Sequence, residues 1–148
     1  MKVEFTLLLA MPRESVWRAF DIPANLPKWQ PNLISVEPVS GEAGQVGAVS
    51  RLMYEEGSRQ VEMVETITVR NEPEEFSGTY DSDHGSTALS NWFIEAEPGR
   101  TRWEVRSETQ LKGMARFMGP MIRGMIEGRV RSDCERFKAL LEAGELEF

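Results

Sequence analysis

The chain has one cysteine, Cys134, and one histidine, His84, among 148 residues. A lone cysteine excludes an intramolecular disulfide and fits a protein of the reducing cytoplasm. A lone histidine, with no CxxC spacing, argues against a zinc site. His84 lies in "DSDHGST", which reads as an exposed hairpin turn, and the sequence identifies no partners that would make it catalytic. The "DSD" of that turn lacks the calcium-loop pattern. Basic residues are also scarce, 17 against 24 acidic for a net charge of −7, which argues against a nucleic-acid binder. No apolar run approaches the roughly 18–20 residues of a membrane span. In "MKVEFTLLLAMP" the apolar stretch is too short for a secretory signal, and no small-residue cleavage site follows it. No Gly-rich phosphate loop, internal repeat or linker is found. Neither a metal nor a cofactor is expected, and residues 1–148 fit one domain.

What the chain does have is strand periodicity. Val3, Phe5, Leu7 and Leu9 alternate with Lys2, Glu4 and Thr6, predicting a first strand. Pro12 fits the first turn of a helix over "PRESVWRAF", and Asp21 could cap a second short helix, "IPANLPKWQ", which its prolines keep short. Six further strands follow, separated by turn signals: "LISVEPV", "AVSRLMYEE", "RQVEMVETITVR", "EFSGTYDS", "TALSNWFIEAE" and "TRWEVRSETQL". No strand–helix–strand alternation appears, which argues against a parallel sheet. From about Met114 the chain reads as helical. Pro120 marks a break or a new start, and Val130, Cys134, Phe137 and Leu141 lie on one side. A helix from Pro120 to Glu142 would be roughly 34 Å long. The predicted fold is α+β: a curved seven-stranded antiparallel sheet around a long C-terminal helix, with two short helices after the first strand.

Several segments in this order carry a family resemblance. They are "SVWRAFDIPANLPKWQPNLISVE", the "GQVGAVSRL" turn and strand, the "VETITVRNEPEEF" hairpin, "GRTRWEVRSETQL" and "RFKALLE". Together they resemble the START-like, or SRPBCC, superfamily with its helix-grip, birch-pollen-allergen fold, and within it the polyketide cyclase/dehydrase-like branch. The resemblance implies a deep, mostly apolar cavity between sheet and helix. Its members include carriers of lipids, sterols, polyketides or hormones, cyclases and aromatases, and protein-binding subunits. Fold does not choose among these.

Strand alternation proposes which side chains face such a cavity. In the fourth strand the apolar set is Val61, Met63, Glu65, Ile67 and Val69, so Glu65 is a carboxylate on an apolar face. Burial would raise its pKa and make it the candidate catalytic acid or base, or a polar anchor for a ligand; it could equally pair with an inward Arg51 or a hydroxyl. Arg51 is in phase with Val49 and Met53. Phe76, Gly78 and Tyr80 form the inward set of the fifth strand. The phase of the sixth is ambiguous, and Ala88, Ser90, Trp92 and Ile94 are preferred inward. The seventh turns Trp103, Val105, Ser107, Thr109 and Leu111 inward.

Half of the eight methionines, Met114, Met118, Met121 and Met125, fall at helical spacing, with Gly124 and Gly128 among them. Adaptable methionines suit a wall that must fit varied apolar ligands, or they fill gaps in a core. The glycines would thin the helix for close approach to the strands or make room for a ligand. Arg116, Arg123, Arg129 and Arg131 make part of this helix basic in an acidic chain, as a solvated face or a strip for an acidic partner or lipid headgroups. Cys134 reads as a buried structural thiol.

The expected function is binding of a small hydrophobic molecule. Met63, Trp92, Trp103, Phe117, Met118, Met121 and Met125 would form the walls, with Arg51, Glu65, Tyr80 and Ser107 as polar contacts. One alternative is a polyketide cyclase/dehydrase-like enzyme using Glu65. Another is a protein-interaction or stress-related subunit with a filled core. A homodimer is left open.

Overall fold

The computed structural model describes residues 1–148. Strand β1 (Lys2–Leu9) leads into α1 (Arg13–Asp21), a 3₁₀ turn (Pro23–Asn25) and α2 (Leu26–Trp29). Six strands follow: β2 (Leu33–Ser40), β3 (Val49–Glu56), β4 (Arg59–Asn71), β5 (Glu75–Ser82), β6 (Gly85–Glu97) and β7 (Arg100–Leu111). A second 3₁₀ segment (Gly113–Met118) precedes the long α3 (Gly119–Glu142). The strands form one seven-stranded sheet in the order β1-β7-β6-β5-β4-β3-β2, every neighbouring pair antiparallel. This is the expected helix-grip arrangement. No helix is long and apolar enough to cross a membrane.

Local chemistry sets the boundaries. Pro12 lies just outside α1 rather than in its first turn, and its carbonyl accepts from the amides of Ser15 and Val16. Asp21 caps nothing. It closes α1 and receives both guanidinium nitrogens of Arg70 at 2.7 Å, tying the helix to β4. Pro120 sits in the first turn of α3, where its missing N–H costs nothing. Gly144, in the left-handed region with φ 74°, ends the helix and donates to the Leu141 carbonyl, while Glu145 N donates to that of Leu140. The tail then folds back. Buried Asn25 donates to the carbonyls of Ala19 (2.9 Å) and Glu147 (2.8 Å) and accepts from the Glu147 amide (2.9 Å).

A bulge in β4 between Ile67 and Val69 changes which residues face the helices. Ile67 pairs with Gly78, but Arg70 pairs with Phe76, so Arg70 takes the inner position and Val69 leaves it. Simple alternation over Val61–Val69 therefore fails at its last residue. At Gly78 a Cβ would stand 2.9 Å from the Thr66 carbonyl oxygen, so only glycine lets β4 and β5 meet there.

The core fills one end of the space between sheet and helices. Trp17, Phe20, Trp29, Phe93, Trp103 and Phe137 stack mostly edge to face, with centroids 5.3 Å apart for Trp103–Phe137 and for Trp29–Phe137. The C-terminal half of α3 supplies Cys134, Phe137 and Leu141 to this cluster. Its N-terminal half, before Arg129, has no fully buried residue. Helix-grip packing is therefore tight at one end and open at the other.

Candidate functional site

The register places inward side chains in rows across the sheet. At the filled end, Phe93, Trp103 and Leu7 form one row. Phe76, Asn91, Val105 and Phe5 form the next, and Ile67, Gly78, Leu89, Ser107 and Val3 a third. One step further, Ser50, Glu65, Tyr80, Thr87 and Thr109 are direct partners across β3, β4, β5, β6 and β7. Every member of this row is polar. Leu52, paired with Met63, lies beyond it.

Phe93 and Trp103 are fully buried, whereas Met63, Glu65, Tyr80, Thr87 and Leu89 are half-buried, with Thr109 and Leu52 buried at the two sides of the sheet. On α3, Ile122, Ile126, Arg129 and Asp133 recur at helical spacing as the half-buried face. The facing residues of the open half of α3 and of the inner strand faces are thus half-buried rather than packed together, and a groove between them, with apolar walls and one polar band, is inferred from that half-burial.

Within that band Tyr80 donates to Glu65 Oε2 at 2.8 Å, and the hydroxyls of Thr87 and Thr109 meet at 2.8 Å. Glu65 Oε1 has no protein partner. Burial raises the Glu65 carboxyl above its ordinary range, with the Tyr80 hydrogen bond pulling partly back. Burial, together with the nearby Glu65 charge, pushes the Tyr80 phenol well above its usual value. Glu65 Oε1 is an acceptor open to a ligand hydroxyl.

A second polar cluster closes the β3 side. Arg129 pairs with Glu56 and lies over the Tyr54 ring, 4.2 Å from its centroid. Tyr54 donates to Gln30 Oε1 at 3.0 Å, and burial raises its phenol pKa despite Arg129. Asp133, one turn along the helix, is pushed up to about 6 by burial, which Arg129 and Arg136 only partly offset. This cluster pins the middle of α3 to β3. Cys134 is buried, as expected, and burial raises its thiol pKa.

Of the residues expected at the site, Met63, Glu65, Tyr80, Trp103 and Ser107 face inward. Met63, Glu65 and Tyr80 meet in the groove, Ser107 lies in the adjoining row, and Trp103 belongs to the filled core. Arg51 does not face inward. It lies on the outer face, pairing with Glu62 at 3.2 Å and Glu37 at 3.3 Å, while Leu52 and Tyr54 take the inner positions. Trp92 is also outside, opposite Glu75 and Glu104, together with Ala88, Ser90 and Ile94. Its strand turns Thr87, Leu89, Asn91 and Phe93 inward instead. Asn91 can be buried because it accepts from the Trp103 indole N–H at 3.0 Å and donates to the Phe76 carbonyl.

The methionine wall is not in the groove. Phe117, Met118, Met121 and Met125 are exposed; Met121 and Met125 are rotated around α3 from Ile122 and Ile126, and Met114, Phe117 and Met118 precede α3 altogether. Nothing lies within 4 Å of where a Cβ would stand on Gly124 or Gly128, so neither glycine serves a close approach to the strands. Two depressions, of about 270 and 200 Å³, lie elsewhere, among Glu62, Val64, Asp81, Ser82 and Asp83 and along Glu4–Thr6 beside Glu104–Arg106. Their charged rims do not suit an apolar ligand.

Residues 1–142 match the family described as polyketide cyclase / dehydrase and lipid transport. The chain belongs to this family. Its fold is shared with a Thermus thermophilus protein at TM-score 0.80 and 16% identity, covering 97% of this chain and 99% of that one. The Zhui aromatase/cyclase from Streptomyces sp. R1128 superposes at TM-score 0.80 and 14% identity, over 96% of this chain and 93% of the other. A START superfamily protein from Mycobacterium smegmatis gives TM-score 0.80 and 14% identity, over 96% and 97%. At such identities the likeness speaks for the fold alone. No curated protein matches the sequence. The START-like, SRPBCC resemblance of the sequence is borne out.

Proposed function

We propose that the groove binds a small hydrophobic molecule carrying a hydroxyl or carbonyl group, which hydrogen-bonds at Glu65 and Tyr80. The observation that carries this reading is the polar row, with Glu65 Oε1 unpartnered, set across a groove otherwise walled by Met63, Leu89, Ile122 and Ile126. Burying the ligand's apolar body would supply about 25 cal/mol per Å² removed from water, and the polar band would fix its direction. A carboxylate ligand is disfavoured, because it would meet Glu65 without a cation in the row.

A second reading has one specific support. Glu65, with a raised pKa beside the Tyr80 phenol, is suited to proton transfer at a carbonyl, the step a cyclase/dehydrase-like enzyme needs. Fold likeness to an aromatase/cyclase is compatible with it.

The test is native mass spectrometry of gently purified protein before and after organic extraction, on wild type and on Glu65→Gln. An extractable hydroxylated or carbonyl compound, depleted in the variant, supports binding. Recovery of a chemically altered product when the extract is returned to wild type, but not to the variant, supports catalysis. A bare chain, together with no melting shift across a panel of apolar alcohols and ketones, would reject both readings.

A further inference from the structure

We infer that the segment from Lys112 to Ile126 is a docking surface for an anionic lipid bilayer. The inference is independent of what the groove holds. Met114, Phe117, Met121 and Met125 are 79%, 84%, 54% and 58% exposed, and Met118 is exposed beside them. Exposing this many large apolar side chains within a dozen residues needs a partner, since a solvated helix face would carry polar residues here. Long, flexible methionines and a phenylalanine suit insertion among acyl chains, which have no fixed shape to match.

Charge selects the partner. Lys112, Arg116 and Arg123 are the only charged residues in this segment, within a chain of net charge −7. All three are exposed, and none takes part in an ion pair. The basic residues further along behave differently, because Arg129 pairs with Glu56 and Arg131 with Glu127. The segment also contains the start of α3, which has no side-chain cap and no acid in its first turn. Its partial positive charge adds to that of the three cations. Apolar side chains interleaved with unpaired cations match the acyl–headgroup boundary of an anionic membrane. A second copy of the chain fits less well, since a symmetric contact would oppose three unpaired cations to three more. Gly119, Gly124 and Gly128 have open space around them, so the segment can settle onto a surface without obstruction from the strands.

Flotation with vesicles of phosphatidylcholine alone, and of an equal mixture with phosphatidylglycerol, tests this on the full chain. Wild type should float with the anionic vesicles, and high salt should weaken the association. Arg116→Gln with Arg123→Gln should weaken it about fivefold per cation removed. Phe117→Ser with Met121→Ser should abolish flotation while leaving the circular dichroism spectrum and melting temperature near wild type. Failure to float with anionic vesicles would overturn the inference. So would equal flotation with both vesicle types, or flotation unaffected by either double variant. Light scattering that shows a dimer dissociated by Phe117→Ser with Met121→Ser would reassign the surface to self-association.

Discussion

Tyr80 donates its hydroxyl hydrogen to Glu65 Oε2 at 2.8 Å, across a directly paired position of β4 and β5. The pair sits in the only inward row composed wholly of polar side chains among those from Phe93 to Tyr80, at the point where the aromatic core gives way to the groove. A carboxylate there is costly unless it is hydrogen-bonded, and Tyr80 supplies the bond.

Discrimination among ligands follows from this pair. Glu65→Leu and Tyr80→Phe should each weaken binding of an apolar alcohol several-fold, matching about 0.5–1.5 kcal/mol for a hydrogen bond. Binding of the corresponding hydrocarbon should be unchanged. Calorimetric titration of matched ligand pairs measures the difference, and equal losses for both ligands would mean that the variants merely disturb the groove.

The two ends of the fold should respond oppositely to truncation. Phe137→Ala removes a fully buried ring from the aromatic cluster and should cost about 3–5 kcal/mol. Met121→Ala, on the exposed side of the same helix, should change stability by less than about 0.5 kcal/mol. Urea unfolding checks both, and comparable losses would mean that the methionine is core after all.

Asn91 should be intolerant of an apolar replacement despite its place in the core. Asn91→Leu strands the Trp103 indole N–H, which has Asn91 as its acceptor, and should cost about 1–3 kcal/mol. Trp103→Phe removes the orphaned donor, so the loss caused by Asn91→Leu should be smaller in that background. A double-mutant cycle by chemical denaturation reads this coupling.

Asp133 makes stability depend on pH. Its folded pKa of about 6 lies above the unfolded value near 3.9, so the folded state holds the proton more tightly. The contribution from that proton is full below pH ~4 and is lost as pH rises through about 6. Asp133→Asn should therefore stabilise the protein at pH 7 by about 1 kcal/mol, after discounting for solvent screening of this partly exposed group, and have little effect below pH ~4. Melting curves across that range decide it; a variant less stable than wild type at pH 7 would show that the Arg129 and Arg136 attractions dominate.

The element order was legible because the strands are separated by strong turn signals and Pro120 marks the first turn of α3. Facing was legible where one alternating set was plainly apolar, as in β1 and β7. It was lost in β6, whose inner face carries Thr87 and Asn91, and in β3, where Val49 and Met53 are no less apolar than Leu52 and Tyr54. Side-chain partners decided those two phases: Glu37 and Glu62 hold Arg51 outside, and Trp103 holds Asn91 inside. The β4 bulge hid the inward turn of Arg70, because an inserted residue leaves no hydropathy mark. Glu65 and Tyr80 could each be picked out singly, but their pairing is a matter of register, which alternation within one strand does not encode. The methionines misled because only Met121 and Met125 lie in α3, on a face that does not pack, while Met114 and Met118 belong to the 3₁₀ segment before it. Ile122 and Ile126, which do face the sheet, were the better signal.

Backbone amide chemical-shift mapping with 2-naphthol, an apolar aromatic bearing one hydroxyl, tests the groove most directly. Saturable shifts at Glu65, Tyr80, Thr87, Leu89, Ile122 and Ile126, with Phe93, Asn25 and the outer-face Arg51 and Trp92 still, are the predicted result. Shifts confined to the outer face or to the exposed methionines, or no saturable shifts with this or any other apolar alcohol, would contradict a ligand site between sheet and helix.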